Sequence, residues 1–202
     1  LFAESARGRY FGNGEDLLAR AQLIDSWHPD LTIAIHYDVR VSKDPEADPQ
    51  GLQDISKGPC RDATKVYVPG AFFADELSLR EDRALFMMHA ARSRKWDRTV
   101  EIASHVVQNL SQGLGIPMEE EDFGNSIAVK PGVFARNLSL TRRVRSGHLN
   151  YIESLYYNCP AEFERLVLQD GPKIAGQARI SARADEVARS IAQGIVAAMT
   201  VD

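Results

Sequence analysis

Apolar positions recur at two spacings along the chain, and the alternation between them sets the expected elements. Over Asp16–Trp27, Leu17, Leu18, Ala21, Leu23 and Ile24 fall at helical spacing. Leu31–Ile35 is a short apolar run rich in β-branched residues. It follows Pro29-Asp30 and reads as a buried strand. Lys65-Val66-Tyr67-Val68 stops at Pro69-Gly70 and reads as a second strand, and Leu149–Ile152 as a third. Arg80–Arg94 and Asp97–Leu114 are helical stretches, two helices or one bent helix. Pro160–Leu168 opens a helix with proline at a permitted first-turn position. Ala178–Met199 reads as a long terminal helix with Ile180, Ala184, Val187, Ile191, Ile195 and Ala198 on one side.

Helices alternating with short buried strands predict the α/β class: a three-layer sandwich whose central, largely parallel sheet is flanked by helices. Two polar stretches interrupt the pattern. Asp44–Asp62, with Pro45, Pro49, Gly51, Gly58 and Pro59, reads as a loop. Gly115–Gly132 contains the acidic run Glu119-Glu120-Glu121-Asp122, whose simplest reading is a solvated loop.

The chain has 202 residues, enough for one domain with a sizeable core. It holds 24 basic and 28 acidic residues, a net charge of -4, which gives no support to a nucleic-acid partner. No apolar run is long enough to span a membrane. The two cysteines, Cys60 and Cys159, are too few for a disulfide scaffold; they read most simply as separate thiols, with a pairing in an oxidising compartment as the alternative.

In open α/β sheets, active sites lie beyond the carboxyl ends of strands. The first strand is expected to end in His36 and the third in Glu153. A neutral imidazole can bind zinc, and a carboxylate can take a proton from an activated water. Alternation in the strand sends His148 to the face opposite Glu153, which argues against a dyad of those two.

The words around these residues resemble the zinc-dependent N-acetylmuramoyl-L-alanine amidases. Arg20, Asp30, Leu31, Ile35 and His36 fit the family's helix and its following Ala-Asp-Leu-Phe-(Ile/Val)-Ser-Ile-His-Ala-Asn word. Glu153, Pro160 and Glu162 fit its Val-Glu-x-Gly-Phe-x-Ser-Asn-Pro-x-Glu word, with Tyr156 in place of Phe. Gly132-Val133 and Arg136-Asn137-Leu138 through Arg143 resemble the run before it, and Ala184–Met199 the closing helix. The chain departs from the family at Tyr37-Asp38, Asn150, Leu155 and Cys159.

The resemblance implies a single catalytic domain over residues 1–202 that lacks the family's first strand and first helix. It implies His36 as a zinc ligand, with the other ligands upstream of Leu1, and Glu153 as the catalytic carboxylate. It further implies a peptidoglycan or muropeptide substrate, an activator protein as partner, and a periplasmic or otherwise exported location. Asp75–Arg94 is longer than the family's chain needs at that point. An inserted helix over residues 75–94 is expected there, either a movable lid or permanent structure. Two other readings stand beside this one. A cysteine hydrolase would use Cys159 at the start of the Pro160 helix, with His105 or His148 as base. A degenerate domain would bind peptidoglycan without cleaving it.

Overall fold

The computed structural model describes residues 14–39, 62–72, 83–84, 87, 95–120, 126–174 and 178–200. In chain order the elements are α1 (Gly14–Ser26), β1 (Leu31–Asp38), β2 (Lys65–Pro69), α2 (Trp96–Leu114), β3 (Ile127–Lys130), β4 (Val133–Arg136), α3 (Ser139–Arg143), β5 (His148–Tyr156), α4 (Pro160–Val167), β6 (Lys173–Ile174), β7 (Ala178–Arg179) and α5 (Ala182–Met199).

Five strands form one sheet in the order β1-β5-β2-β4-β3. β1 runs parallel to β5 and β2 parallel to β4. The two pairs meet through the antiparallel contact of β2 with β5, and β3 closes antiparallel on β4. Helices cover both faces, so the α/β three-layer class is the one observed.

Strand alternation decides which layer each side chain joins. Val66, Val68, Val133, Ala135 and Ile152 turn to one face, where they pack against Val100, Ile102, Ala103, Val106 and Leu110 of α2 and Val187 and Ile191 of α5. The buried residues of α2 recur every three to four positions, the stripe a helix needs to lie on a sheet. On the other face, Ala21 and Ile24 of α1 and Leu140 of α3 pack with Leu149 and Tyr151 of β5.

The register between β1 and β5 is set where the two strands begin. Asp25, at the end of α1, accepts hydrogen bonds from the Arg145 and Ser146 backbone N–H groups, each at 2.8 Å, and from the Ser146 hydroxyl at 2.9 Å. Burial opposes the charge on Asp25, but these bonds outweigh it and hold the carboxyl below its ordinary value. His148 N–H then donates to the Asp30 carbonyl at 2.8 Å, and Leu31 pairs with His148. Gly147 makes this approach feasible. Its φ is +60°, and a Cβ there would collide with the Pro29 and Asp30 carbonyl oxygens.

The structure corrects several expectations. Both β1 and β5 run past their expected ends, to Asp38 and Tyr156, because their ladder continues through a bulge. The terminal helix starts at Ala182, where the Ser181 hydroxyl accepts from Ala184 N–H at 3.0 Å. Ala178–Arg179 instead pairs with Lys173–Ile174. Ile127–Lys130, inside the expected polar loop, is an edge strand, and Val133–Arg136 is its partner. Glu119 of the acidic run is buried at 4% exposure rather than solvated. Of Asp44–Asp62 only Asp62 is among the described residues. Of Asp75–Arg94 only Arg83, Ala84 and Met87 are, all three helical, and the rest of the expected inserted helix lies outside the described residues.

Gly147→Ala is expected to lower stability by at least about 1–3 kcal/mol, the cost of a strained backbone position, before any clash is counted. Urea denaturation measures it. An unchanged midpoint would mean that the β1–β5 entrance tolerates a side chain and does not fix the register.

Candidate active site

His36 and Glu153 are Cα partners in the β1–β5 ladder. They occupy neighbouring parallel strands at one level and share the sheet face opposite α2. Both sit inside their strands rather than beyond the ends, which the sequence did not anticipate. The site is therefore a patch on the sheet face towards the carboxyl ends of β1 and β5.

The bulge follows at once. Asp38 pairs with Tyr156, so β5 spends one more residue than β1 after the His36–Glu153 pair. Ile152 and Leu155 can thereby both reach the core, while Glu153 and Tyr156 stay on the open side. Antiparallel β2 brings Lys65 opposite Glu153 and Tyr67 opposite Tyr151.

An aromatic floor supports these groups. The His36 ring stacks on Tyr151, with centroids 4.2 Å apart and planes at 22°. Tyr67 lies 6.3 Å from Tyr151 and 6.3 Å from Phe134, tilted against both. Partial desolvation of the imidazole, with the nearby Arg20 charge, lowers the His36 pKa and favours the neutral ring. That is the form that offers a lone pair to a metal ion.

Lys65 is 3% exposed. Its Nζ pairs with Asp38 Oδ2 at 2.8 Å and donates to the Tyr156 hydroxyl at 3.1 Å. Tyr156 in turn donates to Glu119 Oε2 at 2.8 Å. Burial works against the Lys65 charge, yet the surrounding Tyr67, Asp38 and Tyr156 outweigh it and raise its pKa. The ammonium is thus engaged by Asp38 and Tyr156, not by Glu153.

Glu153 is left short of partners. Its Oε2 is buried and has no hydrogen bond among the described residues. Burial first, then the Asp38 charge, push its carboxyl up to about 8, against the opposing pull of Lys65 and Arg136. A carboxyl poised near neutrality and held without a partner is suited to carrying a proton.

The pair fits a zinc site in kind: a neutral imidazole beside an unsatisfied buried carboxylate oxygen. It does not complete one. A catalytic zinc takes three protein ligands, and no group of three His, Cys, Asp or Glu side chains is placed for a metal among the described residues.

Two other described histidines, His148 and His28, serve elsewhere. His148 Nδ1 lies 2.8 Å from the Thr99 hydroxyl on the α2 side, away from Glu153 as strand alternation requires. His28 occupies the turn after α1 with φ 47°, its N–H donating to the Asp25 carbonyl at 3.2 Å. Cys159 is disulfide-bonded and 3% exposed, which corrects the expectation of separate thiols and removes it as a nucleophile. The chain's other cysteine, Cys60, lies outside the described residues. Lys65, Asp38, Tyr67 and Arg136 were not singled out as site residues from the sequence. The alternation in Lys65-Val66-Tyr67-Val68 carried the signal for two of them, since it places Lys65 and Tyr67 together opposite two core valines.

The arrangement of strands and helices is similar to that of solved N-acetylmuramoyl-L-alanine amidases. Over 91% of this chain and 61% of the other, it is similar to the apo form of the N-acetylmuramyl-L-alanine amidase Ami1 from Mycobacterium abscessus, with a TM-score of 0.53 and 13% identity. The N-acetylmuramoyl-L-alanine amidase from Clostridium difficile 630 gives a TM-score of 0.51 at 13% identity, over 96% of this chain and 69% of that one. The catalytic domain of the amidase CwlV from Bacillus (Paenibacillus) polymyxa var. colistinus gives 0.51 at 12% identity, with the same coverage. No family model and no curated protein sequence matches the chain. The likeness is one of fold.

A pH dependence follows from Glu153. Between its ordinary value of 4.5 and about 8, the folded chain keeps a proton that the unfolded chain has released. Stability therefore falls as pH rises through that window. Urea titrations with a chelator present should show the wild type losing more stability than Glu153→Gln from about pH 5 to about pH 8. Parallel curves would mean that the carboxyl is solvated.

Proposed function

We propose that this chain works as a zinc-dependent peptidoglycan amidase. It would hydrolyse the amide between N-acetylmuramic acid and L-alanine of the stem peptide. The observation that carries this reading is the His36–Glu153 pair on one sheet face, with Glu153 Oε2 buried and unpartnered, set in the fold of solved amidases.

The chain's own groups divide the work as follows. His36 would give a zinc ion one ligand, and such an ion contributes polarisation of the amide oxygen. Glu153 takes a proton from the attacking water as the new C–O bond forms. It returns that proton to the L-alanine nitrogen as the C–N bond breaks. The products are the lactyl carboxylate and a peptide with a free amino terminus. Tyr151, stacked on His36, holds the imidazole plane. Asp38 occupies Lys65, so the ammonium does not quench Glu153 with a direct ion pair.

A substrate of this kind lies outside the cytoplasm, so an exported, periplasmic-type location belongs to the proposal, as does an activator protein. No described helix is long and apolar enough to cross a membrane. A domain that binds the wall without cutting it is the competing reading, favoured by the family's Ala-Asn being replaced by Tyr37-Asp38.

Glu153→Gln is expected to lower release of L-alanine-terminated peptide from a purified muropeptide by roughly 10²–10⁴-fold while the domain stays folded. Removing zinc with a chelator should abolish release, and adding it back should restore it. Turnover of Glu153→Gln at the wild-type rate would assign the proton transfer elsewhere. A wild type that binds the muropeptide and never cleaves it would favour the binding-only reading.

A further inference from the structure

On β4, alternation sends Val133 and Ala135 into the core and leaves Phe134 and Arg136 on the face that carries Glu153. The Arg136 guanidinium lies over the Tyr67 ring, 5.1 Å from its centroid. Tyr67 is 1% exposed and fixed between Tyr151 and Phe134, so the platform under Arg136 is rigid. Stacking on an aromatic face orders the planar fork before any ligand arrives.

Among the described residues no carboxylate pairs with this cation. Arg98, Arg165, Arg183 and Arg189 each pair with a carboxylate, at 2.6 to 2.8 Å. Arg136 is half-buried, yet among the described residues its side chain has neither an ion-pair partner nor a hydrogen-bond acceptor. It is close enough for its charge to act on Glu153 and Tyr151. A half-desolvated guanidinium with five donors, preorganised on the sheet face that carries Glu153 and separated from it by β2, has the properties of a carboxylate receptor.

We propose that Arg136 recognises a free carboxylate on the peptide portion of the substrate. This rests on the amidase reading given above. The intact sugar side offers no such group, because its lactyl carboxyl is consumed in the scissile amide. A substrate carboxylate must then come from the peptide. Phe134, next to Arg136 on the same face, lines a cavity of about 460 Å³ with Met118, Glu119 and Lys130, which gives the peptide room. The engagement is bidentate, and it positions the scissile bond over Glu153.

The test compares two probes in a Glu153→Gln background that binds without turnover. One is an N-acetylmuramoyl-L-alanyl peptide with a free terminal carboxylate, the other the same peptide ending in a carboxamide. Calorimetry gives Kd for each with Arg136 present, with Arg136→Gln and with Arg136→Lys, and circular dichroism verifies that each variant is folded. Arg136→Gln should weaken the acid probe about tenfold or more and the amide probe less than about twofold. Arg136→Lys, which keeps the charge but loses the fork, should recover part of the difference. Equal weakening of both probes, or none, overturns this assignment and leaves the amidase reading intact. A folded background that binds neither probe overturns both.

Discussion

The parallel ladder between β1 and β5 brings His36 opposite Glu153, and the chemistry proposed for this protein depends on that register. Side chains alternate with a period of two, so a slip of one residue would turn either His36 or Glu153 into the α2 layer. Two devices prevent the slip. The Asp25 carboxylate clasps Arg145 and Ser146 at the entrance, and Gly147 lies against the Pro29 and Asp30 carbonyls where a side chain would not fit. The bulge after His36 then lets the strands re-align their apolar residues with the core without moving the pair.

Charge is distributed around that pair so that the Glu153 Oε2 is left without a hydrogen bond among the described residues. Buried ions are costly unless paired, and the chain pairs most of them. Lys65 is taken up by Asp38 and Tyr156, Glu119 by Tyr156, and Glu162 by Arg183 at 2.6 and 2.7 Å. Glu153 is treated differently. Its burial raises the proton affinity, and the nearest ammonium is directed to other oxygens. The cost of keeping Glu153 in this condition is borne by the large core that α2 and α5 make on the other face of the sheet.

Much of this was legible in the sequence. The 3.6-residue periodicity marked α1, α2 and α5, and short runs rich in apolar residues marked β1, β2 and β5. His36 and Glu153 stood out because each closed an apolar run. Long-range pairing was not legible. Nothing local announces that β2 runs antiparallel to β5, and that single fact places Lys65 and Tyr67 at the site. The four-residue strands β3 and β4 escaped notice because each is too short for a periodicity to show, and the apolar Ile127-Ala128-Val129 of β3 sits at an exposed edge inside a stretch that otherwise reads as a polar loop. Glu119 looked like part of a solvated run, and only the fold brings the Tyr156 hydroxyl to it.

In the proposed function, His36 and Glu153 together make a single metal-dependent site on one sheet face. Anomalous diffraction at the zinc edge, from crystals of the protein grown with zinc, tests it most directly. A zinc peak is expected within bonding distance of a His36 ring nitrogen, about 2.0–2.1 Å, on the side of the sheet that holds the Glu153 carboxyl. A zinc ion bound elsewhere, with His36 uncoordinated in the folded protein, would contradict it.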